Sequence, residues 1–147
     1  MKKEFEKFIN IKLKFINIKF AKFLKSDFGL EIWSDEKVIF HSKRSGLQGL
    51  LQFIGKNENS AKDLVIFDKK VGNAAALLCA YVKAKEVFGL VGSETAKETF
   101  EKFRIKFYFS KTIPNILNKE ETDICPMERM SLGKTPAEFL NLLKSKV

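Results

Sequence analysis

The sequence is poor in cysteine, histidine and proline, with two, one and three of these residues among 147. Small secreted domains that depend on disulfides carry more cysteine, so we expect reduced thiols and a cytoplasmic location. No apolar run reaches the roughly 20 residues of a membrane-spanning helix, and we expect neither a transmembrane segment nor a signal peptide. A metal site would need Cys79, Cys125 and His41 to converge, so we expect no metal and no other cofactor.

Apolar residues and lysine are abundant. Hydrophobic residues make up 45% of the chain and charged residues 31%, which is typical of a globular protein, and we expect a single domain over residues 1–147. The net charge is +9, and residues 1–25 hold eight lysines against two glutamates. The basic character therefore belongs mainly to one segment, which weakens the case for nucleic-acid binding by the rest and leaves nucleic acid an open partner.

A seven-residue repeat marks that basic segment, where KFINIKL at 7–13 is followed by KFINIKF at 14–20. The period predicts a lysine-rich helix within residues 1–25, although the alternation of apolar residues over 9–15 would also fit a strand. One side of this helix carries Phe8, Ile11, Phe15 and Ile18. Three uses stay open: a solvated helix packed on the core, a membrane-surface helix, or a helix that binds RNA or a partner, including a second copy in a homodimer.

Short apolar runs alternate with helical patterns along the core, residues 28–147. A β-hairpin is predicted with Asp35-Glu36 as its turn. The predicted strands are 30–34, 37–42, 64–67, 87–91 and 105–109, and the predicted helices include 45–54 and 93–102, the second with Ser93 as its N-cap. This alternation predicts the α/β class, as a three-layer α/β/α domain with a mixed sheet. Its first strand pair is expected to be antiparallel and its later strands parallel.

Two motifs carry a resemblance to a known family: DKKVGNAAALL at 68–78, and IPNILN at 113–118 followed by CPME at 125–128. Over residues 14–145 the chain resembles a small bacterial family of unknown function with a cytidine-deaminase-like fold, which implies that fold here. The resemblance does not imply deamination, because zinc deaminases need H-x-E and P-C-x-x-C motifs at two helix starts. This chain has Val71-Gly72-Asn73 and Ser93-Glu94-Thr95-Ala96 there, so we expect a zinc-free protein.

Asp68 follows a buried strand and precedes a helix, at the edge where ligands gather in open α/β sheets. The helix start at Gly72 and Asn73 offers N–H groups to an anion, and Lys69 adds a cation. These residues predict a pocket for a nucleotide-like or phosphate-bearing small molecule. Further predicted ligand contacts are Ser45, Ser93 and Asn118. The other interpretation is that Asp68 caps the helix and Gly72 serves helix–sheet packing.

Cys125 and Glu128 are, with Asp68, the predicted catalytic residues. A thiol near a helix start can become nucleophilic, and Glu128 follows three residues later as a base or a contact for a ligand hydroxyl. The other interpretation is a packed cysteine with a capping glutamate, because nucleophilic cysteines usually have a histidine partner and His41 is the only histidine. Cys79 is predicted to be buried and inert.

These observations favour a zinc-free protein of the deaminase fold that binds a nucleotide-like ligand, with turnover left open. The competing hypothesis is a non-catalytic interaction module whose basic N-terminal helix contacts a partner protein, RNA or a membrane surface. A third hypothesis is a transferase or hydrolase that depends on Cys125.

Overall fold

Helices and strands alternate along the chain as the sequence predicts. The computed structural model describes residues 2–44, 47–56 and 61–145. The elements in that part are α1 (Lys2–Leu24), β1 (Leu30–Ser34), β2 (Lys37–Ser42), α2 (Gln48–Lys56), β3 (Val65–Val71), α3 (Asn73–Tyr81), β4 (Glu86–Ser93), α4 (Glu94–Lys102), β5 (Lys106–Ile113), α5 (Pro126–Ser131) and α6 (Pro136–Ser145). None of these helices combines the length and the apolar character that crossing a membrane requires.

The strands form one mixed sheet in the order β2-β1-β3-β4-β5. β1 is antiparallel to both β2 and β3, whereas β3, β4 and β5 are parallel. Asp35 and Glu36 join β1 to β2 with positive φ angles of 49° and 62°, the backbone of a tight hairpin turn that matches the strand twist. The predicted hairpin and its turn are confirmed.

Helices cover the two faces of the sheet unequally. α1 packs on one face, where Phe20 and Phe23 meet Phe67 and Phe88 in an aromatic cluster. The larger core lies on the other face and includes side chains of α2, α3, α4 and α6, while α5 also packs against α3. Neighbouring residues of β3 serve the two layers in turn, since Ile66 belongs to the larger core and Phe67 to the aromatic cluster. The predicted three-layer arrangement with a mixed sheet is confirmed.

Three strands run past the apolar segments that predict them. The sequence predicts ends at residues 67, 91 and 109, whereas β3 ends at Val71, β4 at Ser93 and β5 at Ile113. Polar Lys70 stays in β3 because it pairs with Val91, and Val71 pairs with Gly92. The ends of these strands are therefore set by pairing rather than by hydrophobicity. The helix after β2 is predicted to start at Ser45, which lies outside the described residues, and α2 is described from Gln48.

Candidate functional site at the carboxyl ends of the strands

The carboxyl ends of β3, β4 and β5 lie at one edge of the sheet, and β1 begins there. Three residues before the end of β3, the register brings four residues into one row across the strands, because Leu30 pairs with Asp68, Asp68 with Gly89 and Gly89 with Phe109. Gly89 leaves room beside Asp68, and the Phe109 ring occupies it, since a Cβ on Gly89 would lie 3.0 Å from Phe109 Cδ1. The strand pairing therefore places one carboxylate among apolar neighbours.

Asp68 is a buried carboxyl, with 7% of its surface exposed. Its Oδ1 accepts a hydrogen bond from the backbone N–H of Lys70 at 3.1 Å, and this side chain has no other hydrogen-bond partner among the described residues. Burial raises the pKa of Asp68 to about 7, and the Lys70 bond opposes this only partly. Near neutral pH this carboxyl therefore exists in both its charged and its neutral form.

Cys79 lies in α3 and is fully buried. Burial raises the pKa of its thiol well above the ordinary range, and the nearby charge of Asp68 raises it further. The thiol is thus held in its protonated form, as expected for an inert core cysteine.

The N-terminus of α3 is capped by a carboxylate from far along the chain. Glu128 Oε2 accepts the backbone N–H of Asn73 at 2.7 Å, and Glu128 Oε1 accepts that of Ala74 at 2.9 Å. A Cβ on Gly72 would overlap this carboxyl, so glycine is required there for Glu128 to approach. Burial raises the pKa of Glu128, and the two amide bonds lower it. The amides in which the sequence suggests an anion site are therefore already occupied.

Asn73 links three helices through its side chain. Its Nδ2 donates to Ser131 Oγ in α5 at 2.9 Å, and its Oδ1 accepts from Thr99 Oγ1 in α4. Ser131 Oγ in turn donates to the backbone carbonyl of Glu128 at 2.6 Å. The sequence analysis missed Thr99 and Ser131, and no local pattern marks them, because both act only through contacts between distant segments.

Ser93 and Lys69 have internal partners of their own. Ser93 is buried and accepts the N–H of Ala96 at 3.0 Å, so its predicted role as N-cap of α4 is confirmed. The Lys69 ammonium donates to the carbonyl of Ser26 and lies 5.4 Å from the centroid of the Phe23 ring. In this structure both side chains therefore bond to other parts of the protein and stabilise the elements around the site.

Asn118 and Cys125 lie outside the network around Asn73. Asn118 Oδ1 accepts the N–H of Thr122 at 2.9 Å and so closes a turn. Cys125 is half-buried at the N-cap of α5, and its thiol makes no capping hydrogen bond. His41 is exposed on β2, and its ring contacts the Phe28 ring in a tilted arrangement, with centroids 4.2 Å apart. Ser45 lies outside the described residues.

Exposed cations surround the same edge of the sheet. Lys43 and Arg44 follow the end of β2, and both are exposed. Exposed Lys70 pairs with Val91, which pairs with exposed Lys111. The backbones of the two lysines are therefore two strands apart, about 10 Å, and residues in register share a face of the sheet.

A groove of about 720 Å³ lies at the opposite edge of the sheet, between α1 and the amino ends of β3 and β4. Phe15, Trp33 and Phe67 line it, with charged residues such as Lys19 and Lys85. None of the predicted site residues lines this groove. In residues 2–44, 47–56 and 61–145 no group of three or more histidine, cysteine, aspartate or glutamate side chains is arranged to hold a metal ion.

Comparisons with known proteins agree on one family. The model of TM1506, a domain of unknown function (DUF1893), matches residues 20–147. The crystal structure of a DUF1893 family protein (TM1506) from Thermotoga maritima superposes with a TM-score of 0.81 at 27% identity, over 90% of this chain and 89% of that one. No curated protein matches. The expected likeness to cytidine deaminases stays a prediction, but membership of a family of unknown function is shown: the chain belongs to the DUF1893 family.

Proposed function

We propose that this protein binds a nucleotide-like or other phosphate-bearing small molecule at the carboxyl ends of β3, β4 and β5. Asp68 contacts a polar group of the ligand, and the exposed cations Arg44, Lys70 and Lys111 contact its phosphate. The observation that carries the proposal is a buried carboxyl three residues before the end of β3, with a single hydrogen bond among the described residues. The shared family supplies no activity, so the proposal depends on these residues alone.

Helix capping does not account for Asp68. α3 receives its cap from Glu128, whose two oxygens hold the first two amides of the helix. Burying a carboxyl costs free energy unless its oxygens are well paired, and Asp68 has one amide partner at 3.1 Å. A ligand N–H or hydroxyl that bonds to the second oxygen would offset part of that cost. Carboxylates with a shifted pKa are common at functional sites.

Phosphate recognition in this proposal relies on side-chain cations. The amides of α3 are occupied by Glu128, and the N-cap of α4 is Ser93. Lys70 and Lys111 are close enough for their flexible side chains to meet at one phosphate or diphosphate group. Gly72, Asn73 and Ser93, which the sequence suggests as ligand contacts, then form the wall behind the ligand.

Among the three predicted catalytic residues, Asp68 is the one we assign to proton transfer. Its pKa of about 7 suits a general acid or base at neutral pH. Both oxygens of Glu128 are already bonded to amides, so we assign Glu128 to positioning α3. Cys125 has no such bond, and the structure brings no histidine of the described residues to it; its predicted nucleophilic role therefore gains no support.

The test is a thermal-shift screen of the purified protein against nucleotides, nucleosides, sugar phosphates and inorganic phosphate. Ligand that binds only the folded state raises the melting temperature with concentration. We expect a phosphate-bearing compound to do so, and we expect the shift to disappear in Asp68→Asn and to weaken in Lys70→Gln with Lys111→Gln. Asp63→Asn, an exposed carboxyl at the opposite edge, is the matched control and should keep the full shift.

Two results would overturn the proposal. One is the absence of a shift with every compound of the screen. The other is a shift of equal size in the parent and in Asp68→Asn, which would place the ligand elsewhere, for example in the groove beside Trp33.

A further inference from the structure

Besides the residues packed on the sheet, α1 carries two apolar side chains that stay largely exposed. Phe20 and Phe23 are buried against the sheet, whereas Phe15 is 59% exposed and Ile18 is 57% exposed. Ile18 and Phe20 are separated by about 200° around a helix of 3.6 residues per turn, so they lie on opposite sides. A soluble helix that only packs on a sheet needs one apolar stripe. Phe15 and Ile18 therefore require another explanation.

Lysines lie among these exposed apolar side chains. Lys14, Lys22 and Lys25 are all exposed, and on a regular helix each lies within about 40° of Ile18, with Lys22 between Ile18 and Phe15. The segment of residues 1–25 carries eight lysines and two glutamates. Exposed apolar side chains with lysines beside them suit a helix that lies in the surface of an anionic bilayer, with the apolar side chains among the acyl chains and the long lysine side chains reaching the headgroups.

The other occupants fit this side less well. Pairing with a second copy of α1 would bring the lysines of two helices together, and like charges across a helix pair are destabilising. RNA would satisfy the lysines, but it would leave the aliphatic Ile18 without a matching surface. An anionic bilayer surface uses both the exposed apolar side chains and the charges.

The two exposed apolar residues precede the part of the chain that the family model matches. That match begins at residue 20, so it includes the buried Phe20 and Phe23 and leaves out Phe15 and Ile18.

We propose that the outer side of α1, defined by Phe15, Ile18 and the neighbouring lysines Lys14, Lys22 and Lys25, binds the surface of an anionic lipid bilayer. The helix lies along the surface without crossing it. The rest of the protein stays outside the bilayer, with the sheet held to the surface through Phe20 and Phe23. This proposal is independent of ligand binding at Asp68.

The test is co-sedimentation of the full chain with vesicles of phosphatidylcholine alone and of equal parts phosphatidylglycerol and phosphatidylcholine. We expect binding to the anionic vesicles only, with weakening as salt rises. Phe15→Gln with Ile18→Gln should lower the partition coefficient at least about tenfold, since each buried side chain of this size contributes more than about 1 kcal/mol. The matched control is Leu117→Gln with Leu132→Gln, two exposed leucines elsewhere, which should bind as the parent does.

Circular dichroism and melting temperature check that the variant stays folded, which we expect because both replaced side chains are exposed. The proposal fails if the anionic vesicles bind no protein, if both kinds of vesicle bind equally, or if the Phe15/Ile18 variant binds as the parent does. It also fails if light scattering shows a dimer that the same variant dissociates while vesicles stay unbound, or if an RNA oligonucleotide binds and anionic vesicles do not.

Discussion

At the scale of single residues, Gly72 and Glu128 depend on each other. A Cβ at Gly72 would overlap the Glu128 carboxyl, which holds the amides of Asn73 and Ala74. Gly72→Ala should therefore displace the cap, and a hydrogen bond to a charged group contributes about 1.5–3 kcal/mol. We expect the free energy of unfolding, measured by urea denaturation, to fall by about 2–4 kcal/mol.

Gly55→Ala is the matched control for this prediction. Gly55 lies near the end of α2, and a Cβ built there has no atom within 4 Å. Alanine in a helix is favoured over glycine by up to about 1 kcal/mol, so this variant should be unchanged or slightly more stable. Equal losses in the two variants would show that the Glu128 contact does not explain the glycine.

Asp68 should give the stability a pH dependence of its own. Its pKa is about 7 in the folded chain, whereas an unfolded aspartate has a pKa of about 4. Between these values the folded state binds a proton that the unfolded state does not, so the free energy of unfolding falls as pH rises from 4 to 7. Asp68→Asn keeps an acceptor for Lys70 and removes the titration; at pH 8 it should be more stable than the parent, by up to roughly 4 kcal/mol.

The measurement is urea denaturation of both proteins at pH 4 and at pH 8. The two should have similar stability at pH 4, where Asp68 is protonated in the folded state, and should diverge at pH 8. Asp63→Asn, at an exposed residue, should follow the parent at both values. Parallel profiles for Asp68→Asn and the parent would mean that the carboxyl does not titrate in this window.

At the scale of elements, α1 is attached to the sheet by its last two turns. The Phe23 ring lies 5.7 Å from the Phe67 ring, centroid to centroid, and is 1% exposed. Phe23→Ala should lower the free energy of unfolding by about 3–5 kcal/mol, the usual cost of deleting a buried phenylalanine. Phe15→Ala removes the same side chain from an exposed position of the same helix and should change it by less than about 0.5 kcal/mol.

Chemical denaturation of the two variants distinguishes them. Similar small losses in both would mean that α1 is not docked on the sheet through its aromatic cluster. Similar large losses would mean that Phe15 is covered in solution, and this second result would also argue against a free outer side on α1.

The elements were predictable to the extent that local pattern defines them. Asp35-Glu36 between two apolar runs was sufficient to predict the hairpin. Ser93 before a helical pattern was sufficient to predict the N-cap of α4. The carboxyl end of β3 was not predictable in this way, because polar Lys70 lies beyond the apolar run and is held in the strand by pairing with Val91. Local propensity yields to pairing wherever a strand lies inside a sheet.

At the scale of the whole molecule, the candidate site was predicted only in part. The order of strand and helix predicts Asp68 just after the end of a strand, but Asp68 lies within β3, three residues before the strand ends at Val71. The role of Glu128 as the cap of α3 was not predicted, because 54 residues separate it from Ala74 and only the fold brings them together. Thr99 and Ser131 were not predicted for the same reason, since they meet Asn73 only through the fold. Asn118, which its motif predicts as a ligand contact, instead closes a turn in the structure.

The cap on α3 has a consequence for the order in which the chain acquires its structure. All five strands of the described sheet end by Ile113, and Glu128 comes later in the sequence. During synthesis, which proceeds from the N-terminus, the sheet and α3 can assemble while the amides of Asn73 and Ala74 still lack their carboxylate. Because contacts between distant residues pay the cost of loop closure first, this one belongs to a late step of folding. A nascent chain released before residue 128 would keep every strand and still leave the first turn of its central helix unfinished.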